Sequence, residues 1–297
     1  YNGSDPYKTP AIMGMIPHLE FGIGAFFPEN GMHQITQTLE RLARHTGVEF
    51  QLGSPVDSIL QNQKKGAYGI ESRGKTIEAD VVVSAIDVSL TYRLLKGKES
   101  MGKAYSSLPK STSAIIFYWG IRGSFPFLGL HNLFFSSDYA SEFKALFDEK
   151  KTPEDPSIYV NISSKERPAD APEGCENWFV MVNAPANEGQ NWDELVAKTR
   201  KTVIQRLSNE LKTDLNLLIE EETILDPRSL EIRTGGIGGA LYGSNSNNRF
   251  AAFLRHTNFA NHTPHLYFCG GTVHPGGGIP LALQSAALAA SYVKERE

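Results

Sequence analysis

Near its end the chain reads "FCGGTVHPGGGIPLALQSAALAA", Phe268 to Ala290, with five glycines inside nine residues. Ordering glycine is entropically costly. Such density demands either a sharp turn or something that comes close to the backbone. "HLYFCGG" ahead of it has the pattern of an apolar strand, and a helix is predicted over Ile279–Glu295. Pro280 suits the first turn of that helix, where its missing N–H costs nothing. The first N–H groups of a helix lack partners, and its dipole adds roughly half a positive charge there. Glycines before it let a ligand reach the backbone. Phosphate is one ligand for such a device. A flavin is another, because its N1–C2=O edge becomes anionic on reduction. A tight turn without any ligand is the third reading, since single Gly-rich loops are common. Ala282, Ser285, Ala286 and Ala289 give the helix a face of small side chains that can pack closely on a sheet or a flat ligand.

The rest of the chain supports a packed body around this device. With 297 residues, 40% hydrophobic and 21% charged, about two domains are expected. A net charge of −4 and a pI of 6.1 argue against nucleic acid, whose phosphates want a basic face. Cys175 and Cys269 make no disulfide framework, and a cytoplasmic setting is expected. No apolar run reaches the ~18 residues of a membrane span, and no signal peptide is visible. "YNGSDPYKTPA" does not read as a natural start, so a longer protein is expected.

Residues 1–27, rich in Gly, Pro and aromatics, read as buried irregular structure or a short helix. "PENGMHQITQTLERLARHTG" predicts a helix with Met32, Ile35, Leu39 and Leu42 on one side and Gly47 as its stop. "VEFQLGSPVDSIL" reads as a strand, a break and a second extended run, and "GAYGIES" and "KTIEADVVVSAI" as further strands. Val81–Ala85, a short apolar run, has the pattern of a fully buried strand. Further on, "STSAIIFYWGI", "SIYVNISS" and "NWFVMVNA" predict strands, and "WDELVAKTRKTVIQRLSNEL" predicts a helix.

Three of these segments resemble, in order, the phytoene desaturase family of FAD-dependent carotenoid desaturases, with its related isomerases and saturases. "LYFCGGTVHPGGGIP" resembles the family's terminal motif, "FFPENGMHQITQTLERLARHTGVEF" its aromatic-Pro-Gly block, and "PVDSIL…GIES…ADVVVSAIDVSLTYRLL" its β block. The resemblance implies an α/β fold (α+β by strict count), an incomplete FAD-binding Rossmann-like domain interleaved with a mixed-sheet substrate domain. Residues 1–27 and 96–245 would be the substrate domain, and 28–95 and 246–297 the FAD domain. The chain holds no GxGxxG unit for the cofactor pyrophosphate. Alone it is therefore expected to be inactive, nearly flavin-free and to expose apolar surface that favours self-association.

By resemblance, Gly270 and Gly271 would pass near the ribityl and pyrophosphate, and Gly278, Ile279 and Leu281 near the flavin's pyrimidine edge. Val56 would meet the adenine end through its backbone, with Ala85 and Ile86 close by; the three also suit core strand positions. No catalytic residue is assigned. His274, Glu20 and Asp87 are ionisable candidates, each equally suited to a turn, a cap or a solvated surface. His18, His131 and His265 show no metal-ligand spacing. The implied activity is removal of hydrogens across a C–C bond of a carotenoid, with oxygen or a quinone as acceptor. Isomerase, saturase and non-catalytic polyprenyl-lipid carrier are the alternatives. "FYWGIRGSFPFLGLHNLFF" suits a tunnel wall for a long lipid or a strand pair in the core, and a peripheral membrane contact would let a carotenoid leave a bilayer.

Overall fold

Two continuous apolar strands organise one half of the molecule. A computed structural model describes residues 3–62, 64, 66–247 and 255–296. In chain order its elements are α1 (Met15–Ile23), α2 (His33–His45), β1 (Ser58–Asn62), β2 (Gly66–Ser72), β3 (Lys75–Glu78), β4 (Val82–Ser84), α3 (Val88–Leu94), α4 (Glu99–Ser106) and β5 (Ser113–Arg122). There follow β6 (His131–Phe134), α5 (Tyr139–Lys144), β7 (Ile158–Asn161), β8 (Cys175–Ala184), α6 (Trp192–Leu211), β9 (Ile219–Leu225), α7 (Pro227–Thr234), β10 (Leu266–Phe268) and α8 (Ile279–Arg296). The fold is a mixture of helix and sheet.

β5 and β8 pair antiparallel over their full lengths at the centre of a five-stranded sheet, in the order β6-β7-β8-β5-β9. Successive strand side chains point to opposite faces. Ile115, Phe117, Trp119 and Ile121 of β5 and Trp178, Val180 and Val182 of β8 therefore share one face, where Val203, Ile204 and Leu207 of α6 cover them. Each tryptophan there has a partner for its N–H: Trp119 donates to Glu222, Trp178 to Glu176 and Trp192 to Asn187. α6 starts at Asn191, whose side chain accepts from the Glu194 N–H, and stops at Lys212 in the left-handed region. The opposite face carries Tyr118, Tyr159, Phe179 and Met181; Leu230 of α7 covers it at Ala114, Ile116 and Leu225, and it is open at Tyr118, which is 43% exposed.

The second core gathers Ile59, Val82, Val88, Tyr92 and Leu95 with Leu266, Phe268 and Val273, far apart in sequence. Met101 and Tyr105 of α4 pack against it, beyond the expected boundary at residue 95. β1, β2 and β3 form an antiparallel meander, and β4 pairs in parallel with β10. The domain segments drawn from the sequence include residues 1, 2, 63, 65, 248–254 and 297, which lie outside the described residues.

Two expectations are corrected, and the opening segment takes the short-helix form. Val81–Ala85 is not fully buried: β4 has a neighbour on one side among the described residues, and Val83 is 50% exposed. Val48–Phe50 forms no strand, because no described strand lies beside it to complete its ladder. Of the opening segment, Ser4 and Asp5 are buried, held by hydrogen bonds to Ser246 and Asn247. α1 buries nothing, and Phe21 and Phe26 are 91% and 82% exposed. The apolar stripe of α2 is likewise exposed at Met32, Leu39 and Leu42. Cys175 and Cys269 are free thiols. No helix among the described residues is long and apolar enough to cross a membrane.

Candidate functional site

β4 and β10 run side by side and deliver two loops to the same end of their pair. Cys269 N–H donates to the Ser84 carbonyl at 2.9 Å, which brings Gly270 against Ala85. Gly270 has φ +107°, and a Cβ there would lie 3.3 Å from the Ala85 oxygen. The chain then turns through a cis His274–Pro275 bond and enters α8. Gly278, at φ +104°, is exposed, and a Cβ on it would meet nothing within 4 Å. Ala282 N–H bonds the Gly278 carbonyl and closes the first helical turn. Among the described residues the N–H groups of Gly278, Ile279 and Leu281 donate to no protein group. They are the orphan donors of a helix start, presented to open space.

Buried side chains fix the loop from behind. Asn258, 2% exposed, donates through Nδ2 to the Phe268 carbonyl at 3.2 Å, the His274 carbonyl at 2.9 Å and the Ser285 hydroxyl at 2.9 Å. Ser285, fully buried on α8, accepts in turn from Gly270 N–H at 3.1 Å. Asn258 thus ties β10, the turn and α8 through one amide. Arg255 donates to the carbonyls of Tyr242, Ser244 and Gly271. Burial lowers its pKa from the ordinary guanidinium value, and no carboxylate pairs with it among the described residues. Below the loop, the Tyr92 hydroxyl lies 2.9 Å from His256 Nε2. Burial raises the tyrosine and lowers the histidine, so the pair stays neutral. Sequence reasoning missed Asn258, Arg255 and His256; their one signal is the polar "RHTN" set just ahead of an apolar strand.

The structure brings the eight expected cofactor residues to two adjoining places. Gly270, Gly271, Gly278, Ile279 and Leu281 form the loop and helix start. Val56, Ala85 and Ile86 line a cavity of about 510 Å³ with Val83, Ile77 and Leu94. Neither backbone polar group of Val56 bonds protein among the described residues. The small face of α8 divides: Ser285 and Ala289 are buried, while Ala286 is exposed.

The three ionisable candidates also separate. Asp87 caps α3, accepting from Ser89 N–H at 2.8 Å and its hydroxyl at 2.5 Å. Glu20 is solvated on α1, and the His274 ring is exposed at the turn. Of the middle segment read as tunnel wall or core, Phe117 and Trp119 are core, whereas Tyr118 looks out from the open face. No group of three or more His, Cys, Asp or Glu among the described residues could hold a metal ion.

The sequence profile described as "Flavin containing amine oxidoreductase" matches residues 1–294. The chain belongs to this family. A 1-hydroxycarotenoid 3,4-desaturase of Flavobacterium sp. (strain P99-3) is 48% identical over 99% of the chain and 60% of its own length. A phytoene desaturase of Fusarium fujikuroi is 31% identical over 99% of the chain and 55% of its own length. The chain thus spans little more than half the length of these curated relatives. Among solved structures, a putrescine oxidase variant aligns over 90% of the chain and 53% of its own, with a TM-score of 0.58 at 16% identity, a likeness of fold. The donor set suits the flavin of the family: unbonded amides at a helix start, a glycine whose missing side chain leaves open space, and a neighbouring apolar cavity.

Proposed function

We propose that this chain carries the flavin-ring end and the substrate face of an FAD-dependent carotenoid desaturase. The observation that carries the reading is the 48% identity to a carotenoid desaturase over 99% of the chain. The free amides at the head of α8 support it. Bound FAD would accept the two electrons that leave when hydrogens are removed across a C–C bond. The chain's own part is binding and orientation. Gly278, Ile279 and Leu281 would donate to the pyrimidine edge, where negative charge is stabilised by amides and the helix dipole. Gly270 and Gly271 would let the ribityl chain pass, and Val56, Ala85 and Ile86 would line the adenine end. Tyr118, Phe179 and Met181 would bed the polyene on the open sheet face and keep water from it. Oxygen or a quinone would take the electrons, and a peripheral membrane contact on the cytoplasmic side would give access to a bilayer-borne substrate.

The test is expression of the complete gene in cells that accumulate phytoene or a hydroxylated carotene. The expected product has two hydrogens fewer by mass and absorbs at longer wavelength. A product of unchanged mass would make the protein an isomerase; unchanged pigment with both substrates would refute the reading.

A further inference from the structure

The open sheet face carries a polar group that a pure hydrocarbon ligand would not use. Strand register sets His131 opposite Asn161, Asn161 opposite Phe179, and Phe179 opposite Tyr118. One row therefore runs from a polar edge to an aromatic middle, and Asn161, Phe179 and Tyr118 line a groove of about 470 Å³. Tyr159 stands beside the row, its ring 6.2 Å from that of Phe179.

The hydrogen bonds at this edge can be assigned. Asn161 Nδ2 lies 3.1 Å from the Leu130 carbonyl and 3.2 Å from His131 Nδ1. A carbonyl only accepts, so the amide presents its NH2 on that side and Nδ1 is an acceptor. The Tyr159 hydroxyl, 2.8 Å from the same nitrogen, shares that single lone pair as a donor and is itself hydrogen-bonded by the Asn161 side chain. The ring proton then sits on Nε2. Two valences remain, the His131 Nε2–H donor and the Asn161 Oδ1 acceptor, and neither meets a protein partner among the described residues.

A hydroxyl needs one donor for its oxygen and one acceptor for its hydrogen, and these two groups supply both. We infer that His131 and Asn161, positioned by Tyr159, form a subsite that holds the alcohol of an oxygenated polyene and disfavours an end that is plain hydrocarbon. Hydrocarbon laid over this edge would strip water from both groups and return no hydrogen bond, whereas an alcohol restores it. The inference rests on the reading of this face as the polyene's seat, and goes beyond it by naming which part of the ligand is read and by what.

The experiment titrates the full chain with a hydroxylated carotenoid and with its hydrocarbon counterpart, both in detergent micelles. Quenching of tryptophan fluorescence reports binding, since Trp119 and Trp178 sit in the strands that form the groove, one sheet thickness from it. The alcohol is expected to bind about tenfold tighter, the worth of roughly one to two net hydrogen bonds. His131→Leu, on an exposed side chain, should abolish the preference, weakening the alcohol and tightening the hydrocarbon, which no longer strips water from that ring. Tyr159→Phe should reduce the preference, because the ring loses a donor that holds its tautomer. Tyr118→Ala should weaken both ligands alike. Equal affinities in the wild type, or a preference that survives His131→Leu, would overturn the hydroxyl subsite while leaving the polyene seat standing. Binding of neither ligand would overturn the seat itself, and the subsite with it.

Discussion

Replacing Asn258 by Leu tests the claim that one amide anchors the glycine-rich turn. The new side chain has the same branching, a larger volume and no polar atoms. Asn258 is 2% exposed, and its Nδ2 serves the Phe268 and His274 carbonyls and the Ser285 hydroxyl at 2.9–3.2 Å. Phe268 is fully buried, so its carbonyl has no ready access to water. Each net hydrogen bond is worth about 1 kcal/mol, and an acceptor left buried without a partner costs about 1–3 kcal/mol. The Phe268 carbonyl takes the larger penalty, while the His274 carbonyl, at an exposed turn, recovers solvation. The sum comes to about 3 kcal/mol. Urea unfolding followed by circular dichroism would measure it, with exposed Asn261→Leu as a control expected within about 0.5 kcal/mol of wild type. A loss below about 1 kcal/mol for Asn258→Leu would show that the turn holds its shape without this amide.

Further outcomes follow from neighbouring features. Burial alone would raise the Glu176 carboxyl, but hydrogen bonds from Lys165, Phe125 N–H and Trp178 outweigh it and hold the group below the ordinary carboxylate value. Its stabilisation is therefore present above pH ~4.3, the value in the unfolded chain, and is lost as pH falls through the lower folded value. Glu176→Gln should cost about 3 kcal/mol at pH 7 by leaving the part-buried Lys165 charge without its counter-ion, and melting curves should show the gap narrowing below pH 4. Arg255→Met should cost about 2 kcal/mol, since the Tyr242, Ser244 and Gly271 carbonyls lose a common donor; an unchanged melting temperature would refute this. Gly278→Ala, at φ +104° but facing open space, should cost about 1–2 kcal/mol in backbone strain. In protein from the complete gene it should also lower the bound-flavin absorbance, and full retention would count against the placement of the ring there.

Much of this fold was legible because its strongest elements carry their own signal. β5, β7, β8 and α6 sit where apolar periodicity put them, since each buries a face against the others. β9 was not legible: "IEEETIL" has three successive glutamates, and its place at the sheet edge lets those carboxylates reach solvent. Burial was misread wherever it depends on a neighbour. Val81–Ala85 has the composition of a central strand, yet exposure is a property of what lies beside it, and one flank of β4 is open. At the site, the glycines and the helix start were legible because donors at a helix head are a local property. Asn258 and Arg255 were not. They act on carbonyls and a hydroxyl of segments up to 27 residues away, and no local pattern announces such contacts.

Those two residues also bear on the charge that the proposed flavin site would favour. A backbone loop offers donors and acceptors in equal number, so a glycine turn alone shows no preference for anions. Here the acceptors are taken from behind: the Phe268 and His274 carbonyls by Asn258, the Gly271 carbonyl by Arg255. The donors of Gly278, Ile279 and Leu281 are left free in front. The free groups at the head of α8 are donors, with the α8 dipole and an arginine unpaired by any described carboxylate adding positive potential. Arg255→Met removes that charge and frees the Gly271 carbonyl, whereas Arg255→Lys keeps the charge and loses the fork. If the loop's preference comes from accepting groups being occupied, the two variants should weaken flavin retention alike in protein from the complete gene. If it comes from charge, lysine should rescue it and methionine should not.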